Sequence, residues 1–380
     1  MNNKPLLSIV VPTKNRYKYL KHLIELIDNF DTNKIELVIQ DNTKDNKEIL
    51  NFINENSYSF MKYSHCEENI SVGENFDLGI LNSSGKFVIG IGDDDGLSRN
   101  IINYVEWMDE NNIDSFRPQV VVYKWPSVKG YKFDFSSQLQ LKKPTKTIKY
   151  IFNFDKIRKT VLNKGATTLH NLPRVYYGII RRRILDQVYE TTNTFFPGPS
   201  PDMASSIALS FYVKKHVIFD VPIVIAGHSP KSAGGLGTAH NHISKINEVP
   251  WLPTSTEKYW ERFIPKYWTG QTIYAETAIK ALRALNKENE IKHFNYAYLY
   301  GSILSFDPVL LKSLKQFINY KNIIPIFFYY SKIMLVRARI FASNLLKKYN
   351  IKSNNIVVKN IYTIEECESY LFKKSLNQFD

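Results

Sequence analysis

The sequence has few cysteines and no long apolar run. Its 380 residues include two cysteines, Cys66 and Cys367, which excludes a disulfide-stapled scaffold and suits a reducing cytosol. No window reaches about eighteen uncharged apolar residues, and the apolar stretch near the N-terminus covers only residues 6–11. That stretch is too short for a signal peptide or a membrane span. We therefore expect a cytoplasmic protein.

Acidic residues are missing from one long segment near the C-terminus. The chain has 50 Lys and Arg against 36 Asp and Glu, a net charge of +14. Between Asp307 and Glu365 there is no acidic residue, whereas ten Lys or Arg occur there. A nucleic-acid binder would carry basic residues interleaved with aromatic ones throughout its domain. Because the excess is confined to one segment, we expect no nucleic-acid partner.

The first hundred residues alternate strand and helix patterns. Apolar runs predict strands over 6–11, 35–39, 59–63 and 86–91. Helical spacing of apolar residues predicts helices between them, over 17–30, 45–56 and 72–81. This order predicts an α/β fold with a mostly parallel sheet, flanked by helices and joined by right-handed crossovers.

The rest of the chain is less regular. Residues 125–168 show no clear period and are interpreted as an insertion or lid. Patterns then predict a strand over 174–180, a helix over 203–214, a strand over 217–225 and a loop over 228–238. Arg181-Arg182-Arg183 is interpreted as a solvated helix start. Beyond Trp251 we expect helices to the end.

Polar clusters follow three of the predicted strands. They are the segment Pro12-Thr13-Lys14-Asn15-Arg16, the pair Asp41-Asn42 and the triplet Asp93-Asp94-Asp95. Ligands of open α/β sheets bind beyond the carboxyl ends of strands. Three adjacent carboxylates repel one another unless a cation neutralises them, and oxygen ligands suit Mg²⁺ or Mn²⁺. The alternative is an acidic turn that caps a helix beginning near Ser98.

These residues also carry a family resemblance. The segments SIVVPTKNR (8–16), LVIQDN (37–42) and ENISVGENFDLGILNSSGKFVIGIGDDD (68–95) resemble the nucleotide-binding half of family 2 glycosyltransferases. The resemblance covers about the first 235 residues, weakly from 115 to 170. It implies the Rossmann-like GT-A fold, a nucleotide-sugar donor (usually a UDP-sugar), a divalent metal and inverting transfer to an acceptor hydroxyl.

The resemblance also implies site residues. The donor nucleotide is expected on Pro12, Thr13, Asn15, Arg16, Asp41, Asn75, Asp93 and Asp94. The metal, Mn²⁺ or Mg²⁺, is expected on Asp95, Asp93 and His228. The alternative for His228 is a satisfied surface histidine. Glu74 departs from the family pattern, in which an Arg often precedes the Asn, and we assign it no donor-binding role.

Asp202 is the expected general base, because it lies at the start of a predicted helix where the family has a catalytic aspartate. The alternative is plain N-capping of that helix. Both roles are compatible, and we expect the helix dipole to lower the pKa of Asp202 and keep its carboxylate ionised.

We expect a catalytic domain over 1–240, with a nucleotide-binding half over 1–112 and an acceptor-binding half over 113–240. A helical, basic region follows over 250–380. Its segment 320–350 is a basic amphipathic pattern, which fits peripheral contact with the inner face of the cytoplasmic membrane, or packing on the catalytic domain or on a second copy in a homo-oligomer.

The expected acceptor is a glycan or lipid-linked glycan of the bacterial surface, from capsule, lipopolysaccharide or teichoic acid. Two other functions stay open. A sugar nucleotidyltransferase would carry a Gly-rich loop after its first strand, and VPTKNR lacks glycine. An inactive carbohydrate-binding protein would not need the acidic triplet together with Asp202.

Overall fold

The computed structural model describes residues 4–128, 136–145, 147–230, 232, 244–249, 252, 255–348 and 355–376. The described helices are α1 (Tyr17–Asp28), α2 (Lys47–Asn56), α3 (Val72–Leu81), α4 (Ile101–Glu110), α5 (Asp155–Asn163), α6 (Arg182–Thr192), α7 (Pro201–Leu209), α8 (Gly270–Ala284), α9 (Tyr296–Phe306), α10 (Leu311–Leu314), α11 (Ile323–Lys348) and α12 (Ile364–Leu376). The described strands are β1 (Leu7–Thr13), β2 (Ile35–Asp41), β3 (Met61–His65), β4 (Phe87–Gly90), β5 (Gly96–Leu97), β6 (Ser115–Lys124), β7 (Gln138–Lys142), β8 (Ile148–Ile151), β9 (Ile179–Arg181), β10 (His216–His228), β11 (Ser244–Lys245), β12 (Tyr267–Trp268) and β13 (Asn355–Lys359).

One sheet runs through the molecule, in the order β3-β2-β1-β4-β9-β6-β7-β13. Its first four strands are parallel, as the strand–helix alternation predicts. Strand β9 is antiparallel to both β4 and β6, so the sheet is mixed beyond β4. Strand β10 pairs parallel with β6 and antiparallel with β5 and β8. The predicted α/β fold class is confirmed.

The two faces of the sheet bury different side chains, since successive residues of a strand point to opposite faces. Leu7, Ile9 and Val11 of β1 belong to a core that also contains the apolar face of α1. Val10 of β1 belongs to a second core on the other face, which includes residues of α3, α7 and α8. These two cores fix the carboxyl ends of β1, β2 and β4 along one edge.

The C-terminal region returns to this sheet. Helix α11 packs on α9, and α8 packs on α7. Strand β13 then pairs with β7, and α12 contacts α1, β5 and β10. A buried carboxylate, Glu368 of α12, accepts two side-chain hydrogen bonds from Arg99, at 2.9 and 2.6 Å. The expectation of helices to the end omitted β13, because its partner strand lies more than two hundred residues away in the sequence.

Residues 125–168 also differ from the expectation. They contribute β7, β8 and α5, whose polar outward faces hide the period of the buried residues. Arg181 is buried and donates to Asp109 at 2.9 Å, so it is not solvated. In the described part of the chain, every helix is too short or too polar to cross a bilayer.

Candidate active site

The acidic triplet lies where β4 ends and β5 begins, at the carboxyl edge of the sheet. All three carboxylates are buried. The end of β1 lies beside them, and the Thr13 hydroxyl donates to Asp93 Oδ2 at 2.7 Å. The turn therefore faces inward, unlike the surface turn that was the alternative interpretation.

Arg16 lies against two of these acids. Its Nη2 is 2.5 Å from Asp93 Oδ1, and its Nη1 is 3.4 Å from Asp94 Oδ1. Burial acts to lower the pKa of Arg16, but Asp93 and Asp94 raise it above its usual value. The guanidinium stays charged, and the acidic triplet has an internal cation beside it.

Asp95 is held by four donors. Its Oδ2 accepts from the Gly92 N–H at 2.6 Å and the Tyr176 hydroxyl at 3.1 Å. Its Oδ1 accepts from the Gly227 N–H at 2.8 Å and the Tyr177 hydroxyl at 2.9 Å. Burial and the neighbouring Asp94 raise the pKa of Asp95, although the N–H donors oppose this shift. Both carboxylate oxygens of Asp95 therefore already accept hydrogen bonds from the protein.

Strand β10 approaches the triplet so closely that only glycine fits. A Cβ added at Gly227 would lie 1.6 Å from the Asp94 carbonyl oxygen. The next residues continue the contact, since the Ser229 N–H donates to Asp94 Oδ2 at 3.1 Å. His228 lies between them, and its buried Nδ1 has no hydrogen-bond partner among the described residues. Burial lowers the pKa of His228, with Lys124 adding to the effect, so its imidazole is neutral.

Asp41 lies at the end of β2, in register with Thr13. Its Oδ2 accepts from the hydroxyls of Tyr17 at 2.6 Å and Tyr63 at 2.8 Å, and its Oδ1 accepts from the Thr43 N–H at 2.8 Å. These contacts fix the turn after β2. In this conformation the carboxylate of Asp41 is engaged by the protein.

Asn75 and Glu74 both serve the local frame of α3. Asn75 Nδ2 donates to the Gln40 carbonyl at 3.1 Å and contacts the Thr13 carbonyl at 3.4 Å, which ties α3 to the ends of β1 and β2. Glu74 forms a capping box with Ser71, so it stabilises the first turn of α3. This role explains an acid at the position where the family often has arginine.

A cavity of about 520 Å³ opens beside the β1–α1 turn. Asn15 adopts a left-handed backbone conformation (φ 59°) there, and its N–H donates to Thr43 Oγ1 at 2.8 Å. Pro12, the residue before Thr13 in β1, is half-buried at the same edge. The cavity is lined by Asn15, Arg16, Tyr17, Lys18, Tyr19, Thr43, Asp45, Glu48 and Pro230.

Asp202 occupies the first turn of α7, after Ser200 and Pro201. Ser200 is the N-cap residue and makes no side-chain cap bond. The Asp202 Oδ2 atom accepts from the Tyr274 hydroxyl at 3.3 Å. Burial raises the pKa of Asp202, and Arg174 and the Tyr274 bond offset part of this effect. The expected lowering by the helix dipole is therefore outweighed by burial.

Three tyrosines of this region were not predicted from the sequence. Tyr176 and Tyr177 precede β9 and bond Asp95, whereas the pattern over 174–180 predicted one continuous strand. A glycine directly after them, Gly178, was the available turn signal. The charges of Asp95 and Asp202 both raise the pKa of Tyr176, so this residue is near both acids. Tyr274 comes from α8, far along the chain.

The acids of the triplet differ in how well they could bind a metal ion. In the described part of the chain, the one set of three His, Cys, Asp or Glu side chains with ligand atoms all within 4.8 Å of one another is His22, Glu25 and Glu365, which includes no residue of the triplet. Asp95 has its oxygens filled, and Asp93 is paired with Arg16. Asp94 and the unpartnered His228 nitrogen form a partial donor set, which suits an ion that completes its shell with substrate phosphates.

The comparisons with known proteins agree with the resemblance. Residues 8–173 match the family model described as glycosyl transferase family 2. This segment contains β1, α1 and the acidic triplet, so the match covers the residues that carry the resemblance. The predicted family and reaction class, glycosyl transfer, are confirmed for it. No curated protein matches the sequence.

Crystal structures of TarS from S. aureus are similar to this chain at low identity. One, of TarS 1–349, is 17% identical with a TM-score of 0.47, over 83% of this chain and 76% of that chain. Another, of TarS 1–349 with UDP-GlcNAc, is 14% identical with a TM-score of 0.49, over 84% and 78%. A longer TarS structure is 17% identical with a TM-score of 0.41, and this chain spans about 37% of its length.

Proposed function

We propose that this protein is a metal-dependent inverting glycosyltransferase, with a nucleoside diphosphate sugar as donor and a hydroxyl of a bacterial surface glycan as acceptor. The observation that carries the proposal is the convergence of the ends of β1, β4 and β10 on the buried acidic triplet, inside the matched family domain. Tyr176 is near Asp202 as well as Asp95, which supports a base close to the triplet.

In this proposal the nucleoside occupies the cavity beside residues 12–16. Asn15 and Thr43 supply polar contacts there, and Asp93 faces the ribose from the triplet. Arg16 reaches from the cavity to Asp93, so it can bond the diphosphate without losing its carboxylate partner. A UDP-sugar is the first donor to test, because the family resemblance implies it. Asp41 and Asn75 act indirectly, by holding the ends of β1 and β2.

We assign the metal to Asp94 and His228, and the predicted ligands Asp93 and Asp95 stay predictions. A bound Mn²⁺ or Mg²⁺ would stabilise the negative charge that develops on the departing diphosphate. The protein's own contribution is a pair of donors at fixed positions: the Ser229 N–H orients Asp94, and a neutral imidazole offers its free nitrogen. Arg16 adds a permanent positive charge on the same side.

Asp202 acts as the general base in the proposed reaction. It takes the proton of the acceptor hydroxyl while the hydroxyl oxygen attacks the anomeric carbon. The bond from that carbon to the diphosphate oxygen breaks, its electron pair leaves with the diphosphate, and the configuration inverts. A pKa raised by burial suits this role, since an effective base has a pKa near the working pH.

The acceptor and the location of the enzyme are finer proposals. A capsule, lipopolysaccharide or teichoic acid glycan, free or lipid-linked, would be modified at the cytoplasmic side of the membrane. The sequence has no Gln-x-x-Arg-Trp motif of the processive synthases, which favours the addition of single sugars.

A thermal-shift series tests this proposal. Nucleoside diphosphates are added with and without Mn²⁺, and a ligand that binds the native state raises the melting temperature. We expect UDP with Mn²⁺ to give a larger shift than either alone, and Asp94→Asn to remove the metal-dependent part. If no nucleoside diphosphate shifts the wild type, the donor assignment is wrong.

A further inference from the structure

Helix α11 carries a large apolar surface that nothing in the described structure covers. Its first turns pack on α9 through the buried Ile326, whereas residues 334–343 are all exposed. The exposed fractions reach 77% for Ile324, 60% for Phe328, 61% for Leu335 and 66% for Phe341. Exposed apolar residues that cluster in this way mark an interaction surface.

The apolar residues form one stripe along the helix. Ile324, Phe327, Phe328, Met334, Leu335 and Phe341 recur at the spacings of three, four and seven that bring side chains to one side of an α-helix. Lys332 and Arg339, seven residues apart, lie along one border of this stripe and are exposed. The arrangement is an apolar face edged by cations.

The charge of residues 308–364 distinguishes between a second copy of the chain and a lipid bilayer as the partner of α11. From residue 308 to residue 364 the chain has ten Lys or Arg and no acidic residue. A second copy of the same surface would bring like charges together without acids to pair them. The residues at coiled-coil spacing also include Ser331 and Ala338, which are poor residues for a helix–helix seam. An anionic surface complements the charge, and a lipid bilayer also receives the aromatic stripe.

We propose that α11 docks the protein on anionic lipid bilayers. The aromatic stripe lies in the boundary between headgroups and acyl chains, and Lys332 and Arg339 extend their charged ends to lipid phosphates. The contact is peripheral. Tyr320 and Val309, in the segment between α9 and α11, are also 81% and 78% exposed.

Vesicle flotation of the full chain tests this inference. We expect the protein to float with vesicles of phosphatidylglycerol and phosphatidylcholine and to stay in solution with phosphatidylcholine alone. High salt should release it, because the charge term is screened. Lys332→Glu combined with Arg339→Glu should weaken the partition by roughly 30-fold or more. Phe327→Ser combined with Phe341→Ser should weaken it at least ~10-fold.

A matched control reverses two exposed lysines of α5, Lys156→Glu with Lys159→Glu, and should float like the wild type. Each variant must keep the wild-type melting temperature, and because neither this criterion nor flotation needs a donor, the test is independent of the proposed function. If the wild-type protein stays in solution with anionic vesicles, the inference is wrong. Light scattering that shows an oligomer, broken by the phenylalanine pair, would then assign the stripe to a second copy.

Discussion

The acids of the two halves of the site have different surroundings. Asp93, Asp94 and Asp95 have a permanent cation, Arg16, and backbone or hydroxyl donors. Asp202 accepts a single 3.3 Å hydrogen bond among the described contacts, from Tyr274. The carboxylates of the triplet are held in fixed positions by several donors, as binding a diphosphate and a metal requires. Burial raises the pKa of Asp95 as well as that of Asp202, so the two groups of acids differ in the number of their contacts.

The substitution Asp202→Asn tests the difference between these two groups of acids and is expected to have the largest effect. It keeps the shape but removes the base, so turnover should fall about 10²- to 10⁴-fold, while the thermal shift by UDP and Mn²⁺ is retained. Sugar transfer by single-turnover assay measures the loss. The control is Asp186→Asn, an exposed acid of α6. A normal rate in Asp202→Asn would mean that the base lies elsewhere.

The stability of the fold should also depend on the C-terminal helix α12. Glu368→Ala leaves Arg99 without its buried partner and loosens α12 from the loop before α4. We expect the free energy of unfolding to fall by about 1.5 to 3 kcal/mol, as for the loss of hydrogen bonds to a charged group, measured by urea denaturation. Glu106→Ala breaks the exposed pair with Lys34 and should cost clearly less. Equal losses in the two variants would contradict a stabilising role of the Arg99–Glu368 pair.

Arg16→Gln tests whether the internal cation serves the donor. Removing a charge-assisted contact should weaken UDP binding about 10- to 100-fold, as measured by calorimetry. Arg16→Lys keeps the charge and should recover part of the affinity. Lys34→Gln, which removes an exposed pair with Glu106 outside the cavity lining, is the control. An unchanged affinity in Arg16→Gln would assign the arginine to the fold alone.

The pH profile gives the smallest expected effect. Because burial raises the pKa of Asp202, the rate should fall with decreasing pH at a higher pH than an ordinary carboxyl near ~4 would give. The Tyr274 hydroxyl stabilises the ionised form, so Tyr274→Phe should move this limb up by less than about one pH unit. Tyr259→Phe, at an exposed position, should leave it in place. A downward shift in Tyr274→Phe would contradict the assignment.

Local patterns predict the first half of the molecule well. Helix α3 begins and ends at the predicted residues, and the acidic triplet follows a buried strand as expected. In this half, the periods of the apolar residues agree with burial, because β1, β2 and β4 are covered on both faces. The site contacts of Thr13 and Arg16 follow from the parallel order of β1 and β4 alone.

The features that could not be predicted from the sequence depend on contacts between residues far apart in the chain. Tyr176 and Tyr177 reach Asp95 from about eighty residues away, and nothing in the local period indicates this. The raised pKa of Asp202 comes from burial that α8 helps to create, and a helix-start pattern contains no information about it. Likewise, the pattern of α11 predicts a helix but does not say what covers it.

Strand β13 and helix α12 lie near the end of the chain, so this part of the fold can form only late in synthesis. Synthesis proceeds from the N-terminus, and domains begin to fold as they emerge from the ribosome. The edge strand β7 and the outer side of α1 must wait for residues 355–376 before they are covered. A translation product that stops early would keep its acidic triplet but expose a bare strand edge and an apolar groove. Such a product should be recognised by chaperones and proteases before it reaches a donor.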